Sequence, residues 1–350
     1  MPDQSPGSRP TLEAVAARAG VSRATASRVV NGGDGVRKPL VDRVRQAVEE
    51  LQYIPNHAAR TLVTRRTGAV AVVIAEPETR IFSDPFFSRQ LRGIGKELAE
   101  QDTQLVLLIV EGPGDFDRIE RYLCGGHVDG ALAFSLHTDD PLPGITRRAG
   151  LPTVYGGRPS WTTPPGERTA SYVDADNRGG ARAAVQHLRD QGRRRIACIC
   201  GPPDQTSAQD RFDGYRDIQL DVDPTLVAEG GFTVESGARA MEELLERRPD
   251  LDAVFAANDL MASGALRVLA ERGIPVPGQV AVVGFDDMAS VAEATVPPLS
   301  TVRQDVEGQG RLMARLLLRN LDRDRDRARQ GAEAPDSVIT PTTLVRRASS

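Results

Sequence analysis

From residue 69 onward, short apolar runs alternate with segments whose apolar residues recur every three or four positions. AVAVVIA (69–75), QLVLLIV (104–110), VDGALAF (128–134), PTVYGG (152–157), RIACIC (195–200), DAVFAA (252–257) and VAVVGF (280–285) predict strands buried on both faces of parallel sheets. Residues 87–101, 178–191, 236–247 and 260–272 carry helical spacing instead. Such alternation predicts doubly wound α/β layers. Roughly ten units exceed one sheet, so two lobes are expected. The first spans about 69–172 plus 303–335, and the second about 173–302 plus 336–346. A helix over 306–321 is expected to rejoin the first lobe, and a last strand, SVITPTTLV (337–345), the second. The charged stretch between them, 322–336, lacks apolar periodicity and reads as a frayed helix end and mobile loop.

The N-terminal pattern is different. After a polar tail (1–10), Leu12, Val15 and Ala19 share one helical face, Thr11 is placed to cap it and Glu13 lies in the first turn. Gly20 ends that helix, and Ser22 can cap the next. In the second helix Ala26, Val29 and Val30 face inward, while Arg23, Ala24, Ser27, Arg28 and Asn31 share the opposite side. Two helices meeting at a three-residue corner have the grammar of a helix-turn-helix. Val41, Val44, Val48 and Leu51 mark a third helix, followed by Tyr53-Ile54-Pro55-Asn56-His57-Ala58-Ala59-Arg60-Thr61-Leu62.

Residues 11–62 resemble the DNA-binding domain and hinge of the LacI-type family of transcriptional regulators. Downstream, DPFFSRQLRGI, VDADNRGGARAAVQHL, DRFDGYRDI, FAANDLMASGALRVL, AVVGFDD, PPLSTVRQ and PTTLVRR resemble its periplasmic-binding-protein-like effector domain. The resemblance covers almost the whole chain. It implies an all-α helix-turn-helix head (11–54), a hinge helix and linker (55–68), and a two-lobed α/β body (69–350) that binds an effector and dimerises.

For the head, the resemblance implies that the second helix enters the major groove and that Arg23 and Ala24 carry much of the operator preference. Arg23 can pair bidentately with a guanine edge, Ala24 can only touch a thymine methyl, and Arg28 is a second base reader. Ser22, Thr25, Ser27 and Asn31 suit phosphate contacts or local capping. The hinge is too short to be helical alone. In the family, paired hinge helices of a dimer lie over the minor groove and a leucine wedges between base pairs; Leu62 holds that position, beside Asn56, with His57 and Arg60 near phosphates. Two departures stand out. Ala26 replaces a common valine, and Arg37-Lys38-Pro39-Leu40 removes the usual serine cap of helix 3, at a cost of about 1 kcal/mol.

Charge agrees with this layout. Residues 1–66 hold eleven Lys+Arg against six Asp+Glu, so a basic head precedes an acidic body in a chain of net charge −4. With no apolar leader and no run near the roughly 18 residues of a membrane span, the protein is expected in the cytoplasm, with no membrane partner. Cys124, Cys198 and Cys200 show no metal or redox spacing and read as buried reduced thiols. His57, His127, His137 and His187 fit no metal pattern, and neither a nucleophile elbow nor a phosphate-cradling glycine motif follows a strand. An enzyme is therefore not expected, nor a metal or cofactor.

A cleft between α/β lobes takes its ligand at the carboxyl ends of strands. By the resemblance, Phe86, Arg211, Phe232, Asn258 and Asp286 align with effector contacts; Gln205, Ser207 and Asp210 precede Arg211 in its loop. Aromatic faces with Arg, Asn and Asp suit a sugar. Plainer roles exist for each: core for the phenylalanines, helix caps for Asn258 and Asp286, an ion pair for Arg211. Trp161, in the Pro-rich RPSWTTPPGE, is a candidate lid. The expectation is a repressor released from a palindromic operator by a mono- or oligosaccharide, with a co-repressed regulator or activator sensing a nucleoside-like metabolite as the alternative. With no leucine heptads after the last strand, a homodimer is expected rather than a tetramer.

Overall fold

The computed structural model describes residues 10–30, 35–53, 66–161, 170–326 and 337–350. These belong to two compact units, with the division along the chain between Gly68 and Ala69.

In the first unit, α1 (Leu12–Ala19) starts where the Thr11 hydroxyl accepts a hydrogen bond from the Ala14 amide at 3.2 Å. It stops at Gly20, whose φ of +64° is open to glycine without strain. Helix α2 (Arg23–Val30) follows, its first turn held by the Thr25 amide donating to the Ser22 hydroxyl at 3.1 Å. Helix α3 (Lys38–Leu51) has no side-chain cap at Arg37, and Pro39 occupies its first turn, where a missing N–H costs nothing. Val15, Ala19, Val44 and Ala47 form the core, with Val21, Val29, Val30, Val48, Leu51 and Tyr53 packed on it. Ala26 is fully buried.

The second unit runs β1 (Ala69–Ile74), α4 (Glu78–Ser83), α5 (Pro85–Glu100), β2 (Gln104–Ile109), α6 (Pro113–Cys124), β3 (Gly130–Phe134), α7 (Leu142–Arg148), β4 (Thr153–Gly156) and β5 (Ser171–Ala175). It continues with α8 (Asn177–Asp190), β6 (Ile196–Cys200), α9 (Thr206–Ile218), β7 (Val227–Glu229), α10 (Val234–Arg247), β8 (Ala253–Ala256), α11 (Asp259–Glu271) and β9 (Ala281–Asp286). Last come α12 (Ala289–Ala292), β10 (Ser300–Arg303), α13 (Val306–Asp326), β11 (Ser337–Thr340) and β12 (Thr343–Val345). Two six-stranded sheets result, ordered β11-β5-β4-β3-β1-β2 and β12-β10-β9-β8-β6-β7. Every pair is parallel except β10 with β12.

Two boundaries differ from the expected ones. The strand expected over 337–345 in the second lobe divides: Ser337–Thr340 pairs with β5 in the first sheet, and only Thr343–Val345 enters the second. Pro341 separates them, and a residue without an N–H cannot carry one ladder through. The first lobe also keeps β5 to Ala175, past the expected limit at 172. Strands β5, β7 and β10 carry polar residues or span only three to five positions, which hid them from the apolar pattern. Cys124 is exposed rather than buried, while Cys198 is buried and the Cys198 and Cys200 sulfurs lie 3.4 Å apart.

Helix α13 returns to the first lobe and crosses α5 at very short range. A Cβ on Gly93 would lie 2.0 Å from the Glu307 carbonyl oxygen, and one on Gly310 would lie 2.4 Å from that of Gln90. Only glycine permits this approach, so the crossing holds the first turns of α5, and with them Phe86 and Gln90, against the cleft.

Candidate functional site

On the head, α2 exposes Arg23, Ala24 and Arg28, while Thr25 and Ser27 are half-buried. The Thr25 hydroxyl lies 2.9 Å from that of Ser22, so both serve the helix start. Arg23 is not idle: its Nε donates to Glu13 at 2.5 Å. Glu13's own backbone amide, with Arg23, holds that carboxyl below the ordinary glutamate range. An exposed pair of this kind is screened by solvent and weak, so a guanine edge could displace it. Asn31, Asn56, His57, Arg60 and Leu62 lie outside the described residues.

In the body, the carboxyl ends of strands from both sheets enclose a cleft, the position where open α/β sheets take a small ligand. Phe86, Ser207, Arg211, Phe232, Asn258 and Asp286 all line it, and Trp161 does too, edge-on to Tyr155 at 5.1 Å. Asp210 does not. It pairs at 2.7 Å with Arg158, a lining residue from the other lobe, because α9 turns its carboxylate toward the rim.

The second-lobe wall is saturated with internal bonds. Arg211, 5% exposed, donates from Nε to Asn177 Oδ1 at 2.9 Å and from Nη1 to the Ala257 carbonyl at 2.6 Å. Its Nη2 lies 3.2 Å from Asp286, and the guanidinium sits 3.8 Å from the Phe285 ring centroid. Burial raises the Asp286 carboxyl above its usual range against the pull of Arg211 and of Gln304, which donates at 2.6 Å. Asn258 does cap α11, accepting from the Met261 amide at 2.9 Å, and it also donates to the Phe232 carbonyl at 3.2 Å. Phe232 and Asp286 have φ of +60° and +108°, left-handed backbone that costs about 1–3 kcal/mol in a non-glycine residue. The fold holds both in place and aims them into the cleft.

The first-lobe wall contains residues that the sequence pattern did not single out. Asp84 caps α5 through the Phe86 amide at 2.9 Å, and burial pushes its carboxyl up to about 6. Arg80, on the short helix α4, donates to Glu76 at 2.5 Å and packs its guanidinium on Phe87 and Phe232, 5.7 and 5.2 Å from their centroids. Gln90 lines the cavity one turn beyond Phe86.

At one rim the lobes are joined directly. His137 Nδ1 lies 2.6 Å from Asp204, the Thr138 amide donates to the Asp204 carbonyl at 2.8 Å, and Gln205 donates to Glu76 at 2.9 Å. The Ser135 hydroxyl also donates to Glu76. Hydrogen bonding to Glu76, then to Asp204, raises the His137 imidazole to about 9 despite burial. Burial pushes Glu76 the other way, yet His137, Arg80 and Ser135 together hold its carboxyl below the ordinary range. Gln205 was legible from its loop position; Glu76, His137 and Asp204 carry no spacing that foretells their meeting across two lobes.

Among the described residues no group of acidic, histidine and cysteine side chains is arranged to hold a metal, and no helix is long and apolar enough to cross a membrane.

Comparison with known proteins agrees with this geometry. Residues 11–56 match the bacterial regulatory proteins of the lacI family, and residues 185–350 match the periplasmic binding protein-like domain. The HTH-type transcriptional regulator CelR of Thermobifida fusca is 48% identical over 345 residues, which cover 97% of this chain and 98% of that protein. The ribose operon repressor of Escherichia coli (strain K12) is 33% identical over 318 residues, 89% of this chain and 93% of its own. Among solved structures, a complex of the transcriptional regulator CelR with cellobiose has a TM-score of 0.76 at 46% identity, covering 98% of this chain and all 100% of that one. The lac repressor dimer bound to operator and the anti-inducer ONPF has a TM-score of 0.82 at 26% identity, covering 98% and 99%. With a helix-turn-helix head, a two-lobed body and near full-length likeness to such regulators, the chain belongs to the lacI family of bacterial regulatory proteins, a family of transcriptional regulators and not of enzymes.

Proposed function

We propose that this protein is a homodimeric repressor that binds a palindromic operator and leaves it when a small neutral carbohydrate enters the cleft. Cellobiose, the ligand in the CelR complex, is the first compound to test. The observation that carries the carbohydrate reading is the lining itself. Phe86, Trp161 and Phe232 bring aromatic side chains to the lining from both lobes, with Ser207, Arg211, Asn258 and Asp286 beside them as hydroxyl partners. The cleft's charges favour a neutral ligand. Arg80, Arg158 and Arg211 are each already paired, with Glu76, Asp210 and Asp286, and the carboxylates Asp84 and Asp174 also face the cavity. Among the described lining residues, each arginine already faces a carboxylate, so a sugar phosphate would meet no cation whose charge is unmatched.

On the DNA side, Arg23, Ala24 and Arg28 are the base readers, Ser22, Thr25, Ser27, Asn31, Asn56, His57 and Arg60 position the backbone, and Leu62 is the minor-groove wedge. Effector-driven closure of the lobes weakens operator binding, and by linkage operator weakens effector binding by the same factor.

The test is fluorescence anisotropy on DNA from the gene's upstream region at fixed salt, with sugars and nucleosides added singly. Release by cellobiose or another sugar supports the reading. Binding strengthened by a ligand, or release by a nucleoside alone, replaces it with the co-repressed or nucleoside-sensing alternative. Arg23→Ala is expected to lose about 1–3 kcal/mol of discrimination at one base pair per half-site, whereas uniform weakening on all sequences would make Arg23 a phosphate contact only.

A further inference from the structure

Among the described residues, two buried side-chain atoms have no hydrogen-bond partner, Nε of Arg80 and Oε1 of Gln90, and both residues line the cleft. A buried polar group left unpaired is costly, so two on one wall of a ligand cavity call for partners from the ligand. Both atoms are shut off from solvent in the ligand-free structure, so a ligand reaches them through a small shift of each side chain toward the cavity. The Arg80 guanidinium is tied to Glu76 at 2.5 Å and packs on Phe87 of its own lobe and Phe232 of the other. Gln90, 2% exposed, is pinned under α13 with its Nε2 2.9 Å from the Met313 sulfur. A thioether sulfur only accepts, so the amide NH2 must face Met313 and the carbonyl oxygen is the atom left over.

We propose that Arg80 and Gln90 are specificity-determining effector contacts: Arg80 Nε–H donates to one oxygen of the bound carbohydrate, and Gln90 Oε1 accepts from one of its hydroxyl protons. This rests on the carbohydrate reading above and narrows it. The wall offers one donor and one acceptor, a pair that a polyol fills with hydroxyls. A phosphate or carboxylate could satisfy Arg80, but it would bring only lone pairs to Gln90. Arg80 also stands between aromatic rings of both lobes, so a ligand that occupies its Nε holds the guanidinium where Phe232 packs on it. Recognition and closure thus meet at one side chain. Neither residue announces itself in the sequence, since Arg80 lies in the polar EPETRIFSDP between β1 and α5 and Gln90 is one glutamine on an amphipathic helix.

The test is isothermal titration of the full-length protein, its Arg80→Lys and Gln90→Met variants, with cellobiose and a set of monodeoxy cellobioses. Lysine keeps the charge beside Glu76 but lacks the in-plane Nε–H; methionine keeps the volume but puts a weak thioether acceptor in place of the amide oxygen. Each variant is expected to weaken cellobiose about 10-fold to 100-fold while its ligand-free unfolding midpoint stays within about 2 °C of the parent. For each variant, one deoxy sugar that binds the parent poorly should lose no further affinity on the variant, a non-additivity that a merely structural role would not produce. If both variants bind within twofold of the parent, the proposal falls and the carbohydrate reading stands. Should the parent prefer another sugar, that sugar and its deoxy forms decide in the same way. A parent that binds no sugar overturns both.

Discussion

The two walls of the cleft are finished to different degrees. On the second lobe every nitrogen of the Arg211 guanidinium has a protein partner, and Asn258 spends its oxygen on a helix cap and its amide on the Phe232 carbonyl. On the first lobe Arg80 and Gln90 each keep an unpaired atom, and Asp84 is held partly protonated near pH 6 by burial. A saturated wall is ordered before the effector arrives, which lowers the cost of binding. On the proposed reading, the unfinished wall leaves to the ligand the contacts that complete it, and only energy that differs between states can shift a two-state equilibrium.

The sharpest way to break that contrast is Arg211→Met. Removing the guanidinium strands the buried Asp286 carboxylate and deprives Asn177 and Ala257 of their donor, so a loss of about 3–5 kcal/mol of ligand-free stability is expected. Chemical denaturation reads it directly. A loss below about 1 kcal/mol would mean that the second wall is no more saturated than the first.

Asp84→Asn probes the opposite wall with a gain. The folded carboxyl sits at about 6 against a model-peptide value of 3.8, so the folded state binds this proton more tightly than the unfolded chain. Its contribution is present below pH 3.8 and is lost as pH rises through 6, leaving a buried carboxylate that is unfavourable at pH 7. Asparagine still caps α5 and carries no charge, and is expected to stabilise the ligand-free protein at pH 7 by about 1–3 kcal/mol. Equal stability of parent and variant across pH 4 to 8 would remove Asp84 from the unfinished wall.

A smaller effect is expected at the rim. His137 faces Glu76 and Asp204, with Arg80 bound to the same Glu76 and Asp140 close enough to feel its charge. A folded value of about 9 against 6.5 means that its stabilising contribution is complete below pH 6.5 and lost as pH rises through 9. The unfolding midpoint of the parent should fall more between pH 7 and 9.5 than that of His137→Gln. Parallel curves would show that the imidazolium does not join the lobes.

Much of this architecture was legible in the chain. The head's core positions Val15, Ala19 and Val44 follow helical spacing, and seven apolar runs correspond to strands. Six of the seven cleft candidates, carried over by the family resemblance, line the cavity, and five of them sit near a strand end or a helix start. Arg211 and Asp210 lie in the second turn of α9, and Asp210 is turned to the rim, since which side of α9 meets the cavity depends on how that helix packs. Arg80 and Gln90 obeyed no rule of position. Their meaning comes from Glu76, Phe232, Met313 and α13, which lie up to 223 residues away in sequence.

The sequence by itself determined what is local or periodic. Caps, apolar spacing and glycines that end helices act within a few residues, and they specify a helix-turn-helix head, two α/β lobes and a cleft at the strand ends. Tertiary structure alone decided which sheet each half of the last strand joins, which lobe owns β5, and which polar atoms remain unpaired on the cleft wall. Burial and hydrogen-bond satisfaction are properties of neighbours brought together by folding, and for Gln90 and Met313 the chain separates those neighbours almost completely.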